Sequence, residues 1–161
     1  MLEEKAIKIQ GIIVAVIVLV AVIGCIYYLE ESDFSNNVRI GDKSFTKPYN
    51  YHFVKNQTAT DGITVLLTNG ERNLSVYRSN NNLSNYQQIE SYKSQYPDVK
   101  INQSKMTIDN NQDVFKTVAL IDGKIVVKYY FVKDNIPYCI MTNGNKIGTD
   151  EDVKGIVNSI K

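Results

Sequence analysis

An uncharged run over residues 11–29 (GIIVAVIVLVAVIGCIYYL) constrains this chain more than any other feature. At about 1.5 Å of helix per residue it covers roughly 28 Å, the thickness of a bilayer's hydrocarbon core. Tyr27 and Tyr28 fall at one end, where an aromatic belt sits. Lys5 and Lys8 precede the run, and the first basic residue after it is Arg39. That bias places residues 1–10 in the cytoplasm and everything after the span outside it, in a single-pass protein of the cell membrane. Two other readings compete with a retained anchor. Val22-Ile23-Gly24-Cys25 resembles a loose lipobox, which makes Cys25 a candidate lipidation residue; against it, Ile26, Tyr27, Tyr28 and Leu29 continue the apolar run past the cysteine. A type IV pilin would carry a glutamate five residues into its helix, and none is there. Either anchored form leaves the rest of the chain on the outer side.

Charge narrows the partners. The chain has 18 Lys+Arg against 17 Asp+Glu, and residues 32–161 hold 16 basic and 13 acidic side chains. Such a balance argues against nucleic acid, which is gripped by clustered positive charge. One His, two Cys and no Trp leave little material for a metal centre, a catalytic triad or a disulfide framework. No cofactor is expected.

After a polar linker at residues 30–37, short apolar runs alternate with turn signals over residues 38–161. Residues 63–68 (ITVLLT) read as a strand, and Asn69-Gly70 as a two-residue type I′ turn that would pair Val65 with Leu74 and Ile63 with Val76. Asp122-Gly123 joins residues 114–121 to 124–133, placing Val118, Leu120, Ile125, Val127, Tyr129 and Phe131 on one apolar face. The other face, with Thr117, Lys124 and Lys128 beside Phe115, Ala119, Val126 and Tyr130, reads as partly wet. Residues 136–142 form another strand, with weaker ones at 38–40, 44–46, 51–55 and 101–108. Ser84 and Gln87 make a capping box for a helix that Pro97 stops, its apolar side read as Leu83, Tyr86, Ile89 and Tyr96. Thr149 is expected to cap a second helix, with Asp150, Glu151 and Asp152 in the first turn and a stripe of Val153, Ile156, Val157 and Ile160. The expected fold is therefore α+β: an antiparallel sheet of about six to eight strands with a middle and a C-terminal helix packed on one face, preceded by one transmembrane helix.

The order of these elements resembles the PsbP/Mog-type domain, shared by the extrinsic photosystem II subunit, a Ran-binding import factor and bacterial envelope lipoproteins. The features that carry the resemblance are Ser44-Phe45-Thr46-Lys47-Pro48-Tyr49-Asn50-Tyr51, the hairpin at 67–72, the helix at 84–96, the meander at 114–142 and the closing Ile156-Val157-Asn158-Ser159-Ile160-Lys161. It covers residues 38–161. It implies a domain that binds proteins or small ligands without catalysis, and it carries no functional residue over to this chain.

Candidate sites are few. His52 stands in a Tyr-rich strand, and Cys139 sits between strand neighbours; their plain readings are surface and packing positions, and the sharper one makes either the centre of an envelope hydrolase. Asp109-Asn110-Asn111-Gln112-Asp113 opens like a calcium loop, but Val114 stands where a glycine is needed and Leu120 where a glutamate is needed, so it reads as a polar hairpin tip. Asn56, Asn73, Asn82 and Asn102 begin glycosylation sequons, which an Asn-rich chain also produces by chance. Phe115, Lys116, Lys128 and Tyr130 are read as a ligand or partner surface. The expected function is a membrane-anchored, extracytoplasmic, non-catalytic binding module of the cell envelope, held by residues 11–29, whose partner is another envelope protein or a small ligand. The alternatives are the hydrolase using His52 or Cys139, and a structural surface subunit.

Overall fold

The computed structural model describes residues 20, 36–144 and 146–161. The span at 11–29, the linker over residues 30–35 and Cys25 lie outside the described residues, except for Val20, which is helical and exposed. Among the described residues no helix is long and apolar enough to cross a membrane.

Among the described residues from 36 onward, nine strands and two α-helices follow in the order β1 (Asn37–Ile40), β2 (Lys43–Thr46), β3 (His52–Ala59), β4 (Gly62–Thr68), β5 (Asn73–Ser79), α1 (Asn85–Gln95), β6 (Ile101–Ile108), β7 (Gln112–Ile121), β8 (Lys124–Lys133), β9 (Ile136–Asn143) and α2 (Thr149–Ser159). Strands β3 to β9 form one seven-stranded sheet in the order β3-β4-β5-β9-β8-β7-β6, antiparallel throughout, and β1 pairs β2 in a separate hairpin. The α+β class and the strand number agree with expectation.

Tight turns set the meander. Asp122 and Gly123 both take positive φ, and so do Asp134 and Asn135, which lets two residues reverse the chain between twisted strands. The register about Asp122-Gly123 pairs Leu120 with Ile125 and Val118 with Val127, as expected. The hairpin after β4 differs. Asn69 does not join Gly70 at positive φ; its side chain accepts hydrogen bonds from the amides of Glu71 and Arg72, and Thr68 Oγ accepts from Gly70. These bonds turn a two-residue loop into a four-residue one and slide the register by two, so Val65 faces Val76 and Leu67 faces Leu74. An even slip keeps the same faces, and Val65, Leu67, Leu74 and Val76 are all buried together.

The inner face of the sheet is the main core. Val127, Tyr129, Phe131, Tyr138 and Ile140 meet Val153, Ile156 and Val157 of α2 and Val38, Ile40 and Phe45 of the β1–β2 hairpin. Backbone bonds between Ser44 and Lys161 in both directions, and from the Thr46 amide to Ser159 Oγ, stitch the end of α2 to β2. The helix is capped by Gly148 in the left-handed region, not by Thr149, which is its first residue and is buried.

The helices do not share a face. Helix α1 lies on the outer side, where Ile89 and Tyr92 pack with Ala119 and Tyr130, and Phe115, Ile101 and Cys139 flank them. Alternation put those residues on the second face of β7–β9, and so much apolar surface needs a cover of its own. The α1 capping box is present as expected, but Tyr86 is exposed; Asn85, Gln88, Ile89 and Tyr92 point at the sheet instead. At the hairpin tip, Leu120 and Ile125 reach past both layers and stay exposed.

Candidate functional site

Two polar constellations stand out, one on each face. On the inner face the acids in the first turn of α2 are held individually. Asp150 accepts from Lys116 Nζ (2.8 Å) and from Tyr129 OH (2.6 Å). Asp152 pairs with Arg72 (2.9 Å) and accepts from Tyr51 OH (3.1 Å). In each case the cation also lies over the ring of the same tyrosine, at 5.5 Å for Lys116–Tyr129 and 5.8 Å for Arg72–Tyr51. Burial pushes both phenols up, Tyr51 to about 12, and the neighbouring carboxylates add to it. Burial works against ionisation of Asp150 too, but its bonds from Lys116 and Tyr129 outweigh that and hold the carboxyl below its usual range. These groups satisfy one another, and they seat the start of the helix on the sheet. Lys116, expected beside Lys128 on a binding surface, therefore belongs to the opposite face.

The outer face offers a more open arrangement. Helix α1 covers β7, β8 and the adjoining edges of β6 and β9, while the outer sides of β3, β4 and β5 contribute nothing to either core. The result is a shelf: a floor of Gln57, Thr64, Leu66, Ser75, Tyr77 and Met141, and a wall formed by α1. At the inner corner Lys128 places Nζ 3.6 Å from the centroid of the Tyr92 ring. Burial lowers the Lys128 pKa, so its charge is poorly hydrated and receptive to an acidic or hydroxyl-bearing group. Behind it, the buried atoms Asn85 Oδ1, Gln88 Nε2, Tyr92 OH and Tyr130 OH have no hydrogen-bond partner within the protein. On the floor, Gly62 lets the Tyr77 ring lie flat on β4, since a Cβ there would run into that ring and into the Arg78 carbonyl.

Phe115, Lys128 and Tyr130 are thus brought together, with the Tyr130 ring almost wholly covered. Cys139 is partly buried beneath α1, and burial lifts its thiol to about 12, far from the thiolate that a nucleophile needs. His52 is exposed at the start of the edge strand β3, three strand spacings from β9, or roughly 14 Å. His52 and Cys139 therefore cannot work as a pair. Asn56, Asn73, Asn82 and Asn102 are each exposed. In the calcium-like stretch, Asp113 pairs with Lys105, and Asp109 accepts from Asn158. Two recesses of about 300 and 180 Å³ flank the Arg78–Asp42 ion pair at the end of the sheet away from Arg72.

Sequence reasoning read Asp150 and Asp152 only as dipole partners, and it had no signal for the Lys128–Tyr92 contact. No protein-family model matches the chain, and no curated protein matches it.

Proposed function

We propose that this chain is a membrane-tethered, extracytoplasmic, non-catalytic binding module of the cell envelope, and that its binding face is the shelf beside α1. The observation that carries this reading is the half-covered outer face: one helix screens β7–β8 and leaves β3–β5 open, with a poorly hydrated lysine at the step. The shelf is four strands wide, about 14 Å between its outer strands, and a strand of seven residues runs roughly 23 Å along it. Those dimensions suit a segment of another envelope protein better than a small ligand. The resemblance to PsbP/Mog-type domains supports the same reading. The uncharged run at 11–29 supplies the tether.

Photo-crosslinking tests it. A photoreactive residue at Ser75 or Met141, in the full chain in its own membranes, should trap a discrete adduct that Lys128→Glu weakens. The same residue at Asp134 should trap none. Equal labelling at all three positions would end the proposal for this face. Turnover of an ester or amide panel, abolished by Cys139→Ser or by His52→Ala, would make the chain an enzyme instead.

A further inference from the structure

The cations of the seven-stranded sheet are treated differently on its two faces. Alternation along the paired strands sends Arg78, Lys116 and Lys133 inward. It sends Lys55, Lys105, Lys124 and Lys128 outward, together with His52 and with Asp113, the one acid in these strands. Each inward cation is met by an oxygen: Arg78 by Asp42, Lys116 by Asp150, and Lys133 by the Val157 and Asn158 carbonyls at the end of α2. Of the outward ones, Lys105 is met by Asp113. Among the described residues no carboxylate pairs with Lys55, Lys124 or Lys128. Helix α1 does not supply one, since its single acid, Glu90, is paired with Lys93.

Lys55 and Lys124 are exposed, so water serves them in place of a counter-ion. Lys128 is half-buried at the step of the shelf. The Tyr92 ring takes one side of its ammonium, at 3.6 Å, and an ammonium has three N–H donors to place. One helical turn before Tyr92, Gln88 is 9% exposed and its Nε2 has no partner within the protein. The Tyr92 hydroxyl, on a residue 3% exposed, has none either. Ammonium, amide N–H and phenol O–H all donate. Such a corner is complementary to a carboxylate, which only accepts.

The row of the floor that begins at Lys128 runs through Met141, Ser75 and Leu66 to Lys55 on the edge strand. It crosses four strand spacings, about 19 Å. The row carries a cation at each end, apolar Met141 and Leu66 between them, and no acid. Asp61 borders the floor beyond Tyr77, whose hydroxyl donates to its carbonyl, and stands off the row. Two separated lysines lack the clustered charge that nucleic acid or an anionic bilayer calls for.

We infer that the shelf takes an acidic segment of a protein partner. One carboxylate seats against Lys128, with the Gln88 amide and the Tyr92 hydroxyl as further donors. Apolar side chains lie on Met141 and Leu66, and a second acid meets Lys55 at the edge. This deepens the shelf reading of the outer face and rests on it. The Lys128 contact, made away from water, carries most of the selectivity, and the Lys55 contact, made in water, sets direction along the row.

Random peptides selected on the full chain in non-ionic detergent supply the probes, and a photoreactive residue at Ser75 identifies those that sit on the shelf. These peptides should be acidic. Exchanging their Asp and Glu for Asn and Gln should weaken binding about tenfold or more, and so should Lys128→Met. Lys55→Met should weaken it about threefold. The exchange on the peptide leaves the chain untouched, so it decides the matter even where Lys128→Met does not fold. Shelf-bound peptides that are neutral or basic, or whose binding ignores either the exchange or a folded Lys128→Met chain, would overturn the inference and leave the shelf reading standing. If no selected peptide reaches the Ser75 probe, the shelf reading fails and the inference falls with it. A heparin fragment or an oligothymidylate held at that probe as tightly as the best peptide would overturn it too, by making the corner a site for any polyanion.

Discussion

Both faces of the sheet are covered by an eleven-residue helix, yet the two coverings are built differently. Helix α2 brings Val153, Ile156 and Val157 to a dry core shared with the β1–β2 hairpin, and its polar groups are settled at the rim by Lys116, Tyr129, Arg72 and Tyr51. Helix α1 points Asn85 and Gln88 inward with Ile89 and Tyr92, leaves buried polar atoms without partners and reaches only half of its side. The inner face is where the domain obtains its stability. The outer face trades some of that for an open margin, the shelf proposed above as a binding face.

Urea unfolding of the compact unit Asn36–Lys161 measures that contrast. Ile156→Ala should cost about 2–5 kcal/mol, since the side chain is fully buried among rigid neighbours. Ile89→Ala should cost about 2 kcal/mol or less, because the shallow outer cluster can collapse or admit water. Equal losses would erase the distinction between the faces.

The rim clamps come next in size. Asp150→Asn should cost about 1 kcal/mol at neutral pH, solvent screening of a part-exposed pair keeping it modest. The sign with pH is fixed by the lowered Asp150 pKa. Its contribution is complete above the ordinary value of 3.8 and is lost as pH falls through the lower folded value. The gap between wild type and Asp150→Asn should therefore close in acid; a gap that widens would mean the carboxylate is not stabilised in the fold. The smallest change expected is Tyr130→Phe. It deletes a buried hydroxyl without a partner, so stability should stay within about 0.5 kcal/mol or rise slightly. A loss above about 1 kcal/mol would show that the hydroxyl has a partner after all, and that the outer cluster is as well satisfied as the inner one.

Much of the fold was legible in short stretches. Asp122-Gly123 sets its turn because those two residues accept positive φ, Ser84 and Gln87 cap α1 by reach alone, and the stripe from Val153 to Ile160 needs only helical period. What escaped was anything decided across layers. Alternation says that Tyr129 and Tyr130 face opposite ways, but not that each side receives a helix. Asn69 looked like one half of a two-residue turn because nothing in its own sequence reveals that its side chain will claim two amides. The Lys128–Tyr92 corner, the Asp150–Lys116 and Asp152–Arg72 pairs join residues far apart in the chain, and no local spacing encodes them. Lys116 was misplaced against the alternation itself: standing between Phe115 and Thr117, it shares the face of Val118 and Tyr129, and only its helix partner Asp150 was hidden from the sequence.

The stitching of β2 to the end of α2 also governs how long the domain lasts once it has formed. Thr46 and Ser159 meet across 113 positions, and Tyr51 and Asp152 across 101. By contrast β7, β8 and β9 are linked by turns of two residues and can zip up early. The hairpins should thus be largely formed in the folding transition state, while the seam between β2 and α2 closes after it. Weakening the Asp122-Gly123 turn would then slow folding. Cutting the seam at Ser159 would leave the folding rate almost unchanged and quicken unfolding, so the persistence of this domain once folded is held by its final closure.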